Sequence, residues 1–138
     1  MTISSSGEDR VISRGEVRLK KQKDRIRKRL LKYTRKAYRM IPAVARPRIL
    51  DIGCGNGVPT LELARLSDGE IIGLDRDQGL LDEVARKAEK AGVSDRVKIV
   101  RASMADMKFP AGSFDIIWAE GSIAAVGFNR GLKEWKRF

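Results

Sequence analysis

The chain has 138 residues and a formal net charge of +11, with a single cysteine, Cys54, and no histidine. One domain is expected at this length, and no internal disulfide can form. The lack of histidine excludes His-based catalytic triads and imidazole metal ligands within the sequence. No apolar run reaches the roughly 20 residues of a membrane-spanning helix, so we expect no membrane span, and a lone cysteine indicates a reducing, cytoplasmic compartment.

The positive charge is concentrated in the first 50 residues. They contain 16 Lys/Arg and 4 Asp/Glu, giving +12, whereas residues 51–138 contain 13 and 14, giving −1. Residues 1–12 are polar and aperiodic, which predicts a flexible tail. Ser13 and Glu16 fit a capping box at the start of a basic helical segment over residues 13–45. The helix should end near Ile41, because Pro42 disfavours helical geometry in the residue before it.

Apolar residues recur along this helix at alternating steps of four and three, which predicts one apolar stripe that packs over the rest of the domain. The stripe consists of Ile26, Leu30, Tyr33, Ala37 and Met40. The remaining faces are crowded with lysine and arginine. They are either a solvated surface or a footprint for nucleic acid or another polyanion. Aromatic residues give little support to nucleic-acid binding by this helix. Tyr33 lies on the stripe, so only Tyr38 is left as a platform on which bases could stack.

A short apolar strand leads directly into a glycine-rich loop. Residues 48–57 read Arg-Ile-Leu-Asp-Ile-Gly-Cys-Gly-Asn-Gly, with Asp51 inside the strand and Gly53, Gly55 and Gly57 at alternate positions. Glycine allows positive φ and lets a ligand approach the backbone closely, so the loop is either a ligand-binding turn or a tight turn without ligand. A helical pattern resumes directly after it. Strand, loop and helix N-terminus together form the first half of a nucleotide-type site.

The glycine spacing separates two nucleotide families. A dinucleotide fingerprint needs G-x-G-x-x-G, in which the third glycine is sometimes alanine. Here Val58 occupies that third position, which disfavours a dinucleotide-dependent oxidoreductase. The acid-x-G-x-G-x-G pattern resembles the first motif of the class I S-adenosylmethionine-dependent methyltransferases. The resemblance covers about residues 45–138 and implies S-adenosyl-L-methionine as cofactor and an unidentified methyl acceptor. It implies cofactor contacts from Asp51, Gly53, Gly55, Asn56 and Gly57.

A second acid follows at the interval expected for a ribose ligand. Residues 70–75 form a buried strand that ends at Asp75, 18 residues after Gly57. In a βαβ unit an acid at this position returns to the ribose, where its carboxylate can bond both hydroxyls. Capping of the next helix suits Asp77 better. We therefore predict that Asp75, together with the adjacent Arg76, contacts the cofactor.

The rest of the chain continues the alternation of strands and helices. The predicted elements are a helix over residues 78–91 stopped by Gly92, an edge strand over residues 96–101, a fourth strand over residues 114–120 and a last helix capped by Asn129 and ending at Trp135. Counted as four strand–helix units, they predict an α/β fold with a Rossmann-like parallel sheet, flanking helices and right-handed crossovers. Residues 46–138 would then form the cofactor-binding domain, preceded by the long basic helix.

The segment after the third strand departs from the resembled family. There, an Asp in a pattern like G-D-A-x-x-L-P-F recognises the adenine amino group, and the matching position here is Ser103. The resemblance implies that Ser103 and the Met104 backbone N–H contact the adenine, and that Asp106 is a loop acid. Residues 118–123 and 127–135 are similar to W-A-E-G-A/S-I and G-F-x-x-G-L-x-E-W segments of one methyltransferase subgroup.

Two acids, Asp51 and Glu120, are available near the ammonium end of the cofactor; Glu120 is either such a contact or a solvent-facing loop acid. A general base for the acceptor would come from Glu120, from a tyrosine such as Tyr38, or from residues beyond this chain, so no catalytic residue is assigned.

Members of the resembled family continue into three more strands. We therefore expect the chain to be a truncated or partial form, whose fourth strand carries an unpaired edge that favours self-association. The alternative function is a basic nucleic-acid-binding module on a catalytically inactive methyltransferase-like scaffold.

Overall fold

The computed structural model describes residues 12–138, so the predicted flexible tail lies outside the described residues except for Ile12. Helix α1 spans Arg14–Arg39. Its predicted capping box is confirmed: the Ser13 hydroxyl accepts a hydrogen bond from the Glu16 amide at 3.2 Å, and the Glu16 carboxylate accepts one from the Ser13 amide at 2.8 Å. Among residues 12–138, no helix is both long and apolar enough to span a bilayer.

A four-stranded parallel sheet forms the centre of the domain, as predicted. The strands are β1 Arg48–Ile52, β2 Glu70–Asp75, β3 Val97–Arg101 and β4 Ile116–Trp118. The helices after α1 are α2 Val58–Leu66, α3 Gln78–Lys90, a short 3₁₀ helix Ile123–Ala125 and α4 Phe128–Trp135. The strand order is β3-β2-β1-β4, which places β3 at an edge and brings the carboxyl ends of all four strands to one side of the sheet.

Helices cover both faces of the sheet, which explains why the central strands are almost uniformly apolar. Ile49 faces one layer, where it packs with Leu63 of α2 and Val84 of α3. Leu50 faces the other layer, where it belongs to the same cluster as Trp135 of α4. All of these side chains are buried, so the sheet holds the loops at its carboxyl edge on a rigid base.

Three expectations about the C-terminal elements are wrong. β4 is shorter than residues 114–120, because the Asp115 carboxylate accepts the Arg48 amide and Glu120 turns toward α1. No helix separates β3 from β4; residues 102–115, with Pro110, form turns instead. Asn129 does not cap α4, which starts at Phe128 after a glycine N-cap without any side-chain bond.

The predicted packing stripe of α1 is also wrong. Its large members range from 45% exposed at Leu30 to 78% exposed at Met40. The helix turns a different, mostly polar face to the domain, because the surface beneath it presents the buried carboxylates of Glu62 and Glu83. Basic side chains on α1 meet these acids, and the apolar stripe is left largely exposed, with Tyr33 and Ala37 bordering a pocket between α1 and β4.

We call the face of α1 that contacts the domain the docking face. It consists of Lys20, Asp24, Arg27, Leu31, Thr34, Arg35 and Tyr38. Lys20 bonds Glu83 at 2.8 Å and Arg35 bonds Glu62 at 2.5 Å. Asp24 accepts a hydrogen bond from the Asn56 side-chain amide, and Thr34 donates to Glu120. These contacts lay α1 across the glycine loop through the docking face and not through the predicted stripe.

Candidate cofactor site

A crevice of about 420 Å³ lies at the carboxyl edge of the sheet. Its walls come from the loop after β1, the end of β2, the loop after β3, the 3₁₀ helix after β4, and one residue each of α1 and α3. They are Gly53, Gly55, Leu74, Asp75, Arg76, Ala102, Ser103, Met104, Ala105, Ser122, Ala125, Val126, Arg27 and Leu80. Open α/β sheets bind ligands at this edge, and the volume suits a small molecule.

The glycine loop presents bare backbone to this crevice. Gly53 and Gly55 have φ of 69° and 56°, in the left-handed region that L side chains rarely adopt. A Cβ on Gly53 would lie 2.5 Å from the Ser122 Cβ, and one on Gly55 would lie 2.7 Å from the Arg27 Nη1. A side chain at Gly53 would collide with Ser122, and one at Gly55 would displace the flexible end of Arg27, so glycine keeps the crevice open.

Asp75 joins the end of β2 to the glycine loop. Its Oδ2 accepts a hydrogen bond from the Gly55 amide at 3.0 Å, and its Oδ1 accepts one from the Asp77 amide at 3.0 Å. A carboxylate oxygen accepts more than one bond, so both oxygens retain capacity for ligand hydroxyls. Asp77 accepts from the Leu80 amide at 3.1 Å as the N-cap of α3, which confirms its predicted capping role, whereas the ribose contact of Asp75 stays a prediction.

Ser103, Met104 and Arg76 also line the crevice, on the side formed by the ends of β2 and β3. The Ser103 hydroxyl accepts the Ala105 amide at 3.2 Å, which shapes the loop after β3. The Met104 carbonyl accepts the Trp135 indole N–H at 3.3 Å, so α4 anchors the same loop. These positions agree with the predicted adenine contacts, which themselves stay predictions.

Asp106 lies off the crevice wall. Its carboxylate is exposed and sits 2.7 Å from the Lys108 ammonium. It is therefore placed as the loop acid that the sequence indicates rather than beside Ser103 in the crevice.

Asp51 lies beneath the glycine loop, outside the crevice wall, and is only 2% exposed. Its Oδ2 accepts a hydrogen bond from the Thr60 hydroxyl of α2 at 2.7 Å. Burial raises the pKa of Asp51 to about 7; the Thr60 bond opposes the rise, Glu120 adds to it and Arg27 opposes it. The carboxyl group therefore changes its protonation near neutral pH.

Asn56 and Gly57 connect the glycine loop to the helices packed against it. The Asn56 side-chain amide donates to Asp24 of α1, and the Asn56 backbone carbonyl accepts from the Lys87 ammonium of α3 at 3.0 Å. Gly57 is the N-cap of α2, where a Cβ would lie 2.8 Å from a methyl group of Val84. Both residues fix the loop conformation and neither lines the crevice, so direct cofactor contact by either stays a prediction.

Glu120 lies in a second pocket, of about 360 Å³, between α1 and β4. This pocket is lined by Tyr33, Thr34, Ala37, Ile117, Trp118, Ala119 and Glu120. The Glu120 carboxylate accepts from the Thr34 hydroxyl at 2.8 and 2.9 Å and from the Trp118 indole N–H at 3.2 Å. Tyr38 is not on its wall; its ring packs against Trp118 with centroids 6.5 Å apart.

Two polar wall residues of the crevice, Ser122 and Arg27, are absent from the sequence-based set. Ser122 donates to the Ile52 carbonyl and faces Gly53, and it falls within the 118–123 segment that already resembled a methyltransferase subgroup. Arg27 is one of many basic residues on α1, and no pattern distinguishes it from its neighbours. Among residues 12–138, no cluster of three or more potential metal ligands occurs.

Comparisons with known proteins agree with this geometry. Residues 49–138 match the family model described as a methyltransferase domain. The 27-O-demethylrifamycin SV methyltransferase of Amycolatopsis mediterranei is 37% identical over 84 residues, which cover 61% of this chain and 31% of that protein. A sterol 24-C-methyltransferase of Aspergillus fumigatus is 35% identical over 88 residues, covering 63% of this chain and 23% of that protein.

A solved structure supports the fold. Geranyl diphosphate C-methyltransferase from Streptomyces coelicolor, in complex with S-adenosyl-L-homocysteine, superposes with a TM-score of 0.70 at 20% identity. The superposition covers 77% of this chain and 40% of that one. The chain thus spans less than a third of the two curated relatives. The methyltransferase-domain match covers well over half of the chain. The chain therefore belongs to the class I S-adenosylmethionine-dependent methyltransferases.

Proposed function

We propose that residues 46–138 form the S-adenosylmethionine-binding domain of a methyltransferase that acts on a small, largely apolar acceptor. The observation that carries the proposal is the place of Asp75, which ends β2 on the crevice wall and is bonded to the Gly55 amide. A carboxylate held there next to bare glycine backbone suits a nucleoside whose ribose has two free hydroxyls.

The chain's own residues suit the parts of such a ligand. Gly53 and Gly55 leave room for it along the loop, and Asp75 offers oxygens to the ribose. Ser103 and Met104 line the side where the base would lie. When bound, S-adenosylmethionine supplies a methyl group that is already activated by its sulfonium. The protein therefore has to orient the reactants and exclude water.

The pocket between α1 and β4 is the candidate acceptor site. Tyr33, Ala37 and Trp118 give it a largely apolar wall, and Glu120 is its carboxylate. The relatives are named for rifamycin, sterol and geranyl diphosphate chemistry, and this supports a lipophilic acceptor. Thr34 and Trp118 hold the Glu120 carboxylate, which supports it as the group that accepts a proton from an acceptor hydroxyl.

Other expectations stay predictions. β4 pairs only with β1 among the described strands, so its second edge is open to self-association. The basic faces of α1 are exposed, as a polyanion footprint requires. The comparisons give no support to an inactive nucleic-acid-binding scaffold, and the cytoplasmic compartment is not tested by the fold.

Calorimetric titration with S-adenosyl-L-homocysteine tests the cofactor site. The wild-type chain should bind, and Asp75→Ala should bind at least about 10-fold more weakly, because hydrogen bonds to a charged group are worth about 1.5–3 kcal/mol. Asp95→Ala, which removes an exposed acid from the loop before β3, should bind like the wild type.

Since Asp75 also bonds loop amides, circular dichroism must show that each variant is folded, and Asp75→Asn keeps one acceptor oxygen as a milder change. A folded wild-type chain that does not bind S-adenosyl-L-homocysteine, or an Asp75→Ala variant that binds as tightly as wild type, would contradict the proposal.

A further inference from the structure

Arg27 differs from the other polar residues of the docking face. Lys20, Asp24, Thr34 and Arg35 each bond a residue of the domain. No hydrogen bond or ion pair engages the Arg27 guanidinium within residues 12–138, although it lies on the same face, one turn from Asp24 and Leu31. A cation turned toward the domain that acts on Asp51 only at a distance, with no hydrogen bond or ion pair to the described protein, indicates a bonded partner of another kind.

The position of Arg27 shows where that partner would lie. The guanidinium covers Gly55, with Nη1, Nη2 and Cζ at 2.7, 3.3 and 3.4 Å from the Cβ position of that glycine. It forms part of the crevice wall, where the other charged side chains are Asp75 and Arg76. Arg27 therefore stands on the glycine-loop side of the crevice, and Arg76 stands at the end of β2.

The chemistry of the ligand leaves one group for this cation. In S-adenosylmethionine and S-adenosylhomocysteine the adenine and ribose are uncharged, and the single anion is the carboxylate of the amino-acid end. A guanidinium fork matches a carboxylate with two parallel N–H···O bonds, which a lysine cannot reproduce. With Asp75 assigned to the ribose, the amino-acid end extends along the glycine loop, on the side of Arg27.

We infer that Arg27 binds the carboxylate of the cofactor's amino-acid end, so that α1 completes the cofactor site. The inference rests on the proposed function. It also extends the site beyond residues 49–138, the region that matches the methyltransferase domain, because α1 precedes that region. Gly55 then has a second role: the absence of its side chain lets the guanidinium approach the loop backbone.

Two ligands separate carboxylate binding from a general effect on the crevice. S-adenosyl-L-homocysteine carries the amino-acid end, and 5′-methylthioadenosine shares its adenosine and thioether but lacks that end. Calorimetric titration of both ligands is compared for the wild type, Arg27→Ala, Arg27→Lys and Arg25→Ala. Arg25→Ala removes the same charge from the exposed side of the same helix.

Arg27→Ala should weaken S-adenosyl-L-homocysteine binding by about 10- to 100-fold, the range for a charge-assisted hydrogen-bonded pair, and leave 5′-methylthioadenosine binding within about twofold. Arg27→Lys should fall between wild type and Arg27→Ala, and Arg25→Ala should match wild type for both ligands. High salt should reduce the wild-type preference for the charged ligand.

Equal losses for both ligands in Arg27→Ala would overturn the inference, because they indicate a role in shaping the crevice. Unchanged binding of S-adenosyl-L-homocysteine by Arg27→Ala would also overturn it while leaving the proposed function intact. A folded wild-type chain that binds neither ligand would overturn the proposed function itself, and the Arg27 assignment with it.

Discussion

The sheet and helix α1 are joined to the same domain by different forces. The sheet is held by apolar burial, with Ile49, Leu50 and Leu63 fully buried between the helical layers. The docking face of α1 is held mainly by charged and hydrogen-bonded pairs, such as Arg35 with Glu62 and Lys20 with Glu83. Burial of apolar surface is non-directional and is not screened by salt, whereas ion pairs are directional and screened.

The apolar sheet and the ion-paired helix α1 therefore have different tasks. The sheet fixes the loops at its carboxyl edge, and α1 closes over them through contacts that weaken at high salt. Arg27 lines the crevice and Thr34 lines the pocket between α1 and β4, so the shape of both cavities depends on the docking of this helix.

The largest expected effect tests the apolar half of the comparison. Leu63→Ala removes a fully buried side chain from the core between β1 and α2, and should lower the free energy of unfolding by about 2–5 kcal/mol. Leu30→Ala makes the same chemical change on the exposed stripe of α1 and should stay within about 0.5 kcal/mol of wild type. Urea denaturation measures both. Equal losses would show that the stripe is covered in solution.

The sequence predicts those parts of the fold that local patterns determine. β2 has the predicted bounds, and the Ser13 capping box and the Asp77 N-cap form as expected, because each depends on residues within a few positions. The glycine loop and Asp75 meet as predicted, because a βαβ unit returns the second strand beside the first.

The docking face of α1 could not be predicted in the same way. Its partners, Glu62, Glu83 and Glu120, come from three separate segments, and ion pairs across such distances leave no periodic signal in the helix. The apolar periodicity of α1 is real, but it marks the exposed stripe. Arg27 was missed for the same reason: only the fold shows which arginine faces the glycine loop.

Asp51 gives a further test of the comparison between the sheet and α1, because it is a buried carboxyl group within the apolar sheet. Its pKa rises from 3.8 to about 7 on folding, so the folded state holds the proton more tightly than the unfolded state. The resulting stabilisation is complete below about pH 3.8 and is lost as the pH rises toward 7. Asp51→Asn keeps an acceptor for Thr60 without this titration.

The stability of wild type relative to Asp51→Asn should therefore fall between pH 4 and 7 by up to about 1.4 kcal/mol per pH unit. Urea denaturation at matched pH values gives the difference, which cancels the titration of groups common to both proteins. The charges of Arg27, Glu120 and Asp75 also shift the pKa of Asp51. Both proteins in the comparison must therefore keep these three residues. A difference that does not vary with pH would contradict the assignment.

The smallest expected effect tests the ion pairs of the docking face. Arg35→Ala removes the partner of Glu62, a buried carboxylate that is then left with Arg65 at 3.5 Å. We expect a small loss of stability in urea at low salt, well below that of Leu63→Ala, because the Arg35 side chain is half exposed and its pair is partly screened. Arg29→Ala, an exposed arginine in the middle of the same helix, should show almost none.

Salt distinguishes the Arg35 effect from a loss of packing. At 1 M sodium chloride the wild-type pair is screened, so the difference between wild type and Arg35→Ala should shrink, whereas the loss in Leu63→Ala should persist. Urea is required as the denaturant because guanidinium would itself screen the pair. An Arg35→Ala loss that is as large in high salt as in low salt would mean that the aliphatic stem of Arg35 packs on α2 and holds α1 in place. The docking face would then depend on burial, as the sheet does.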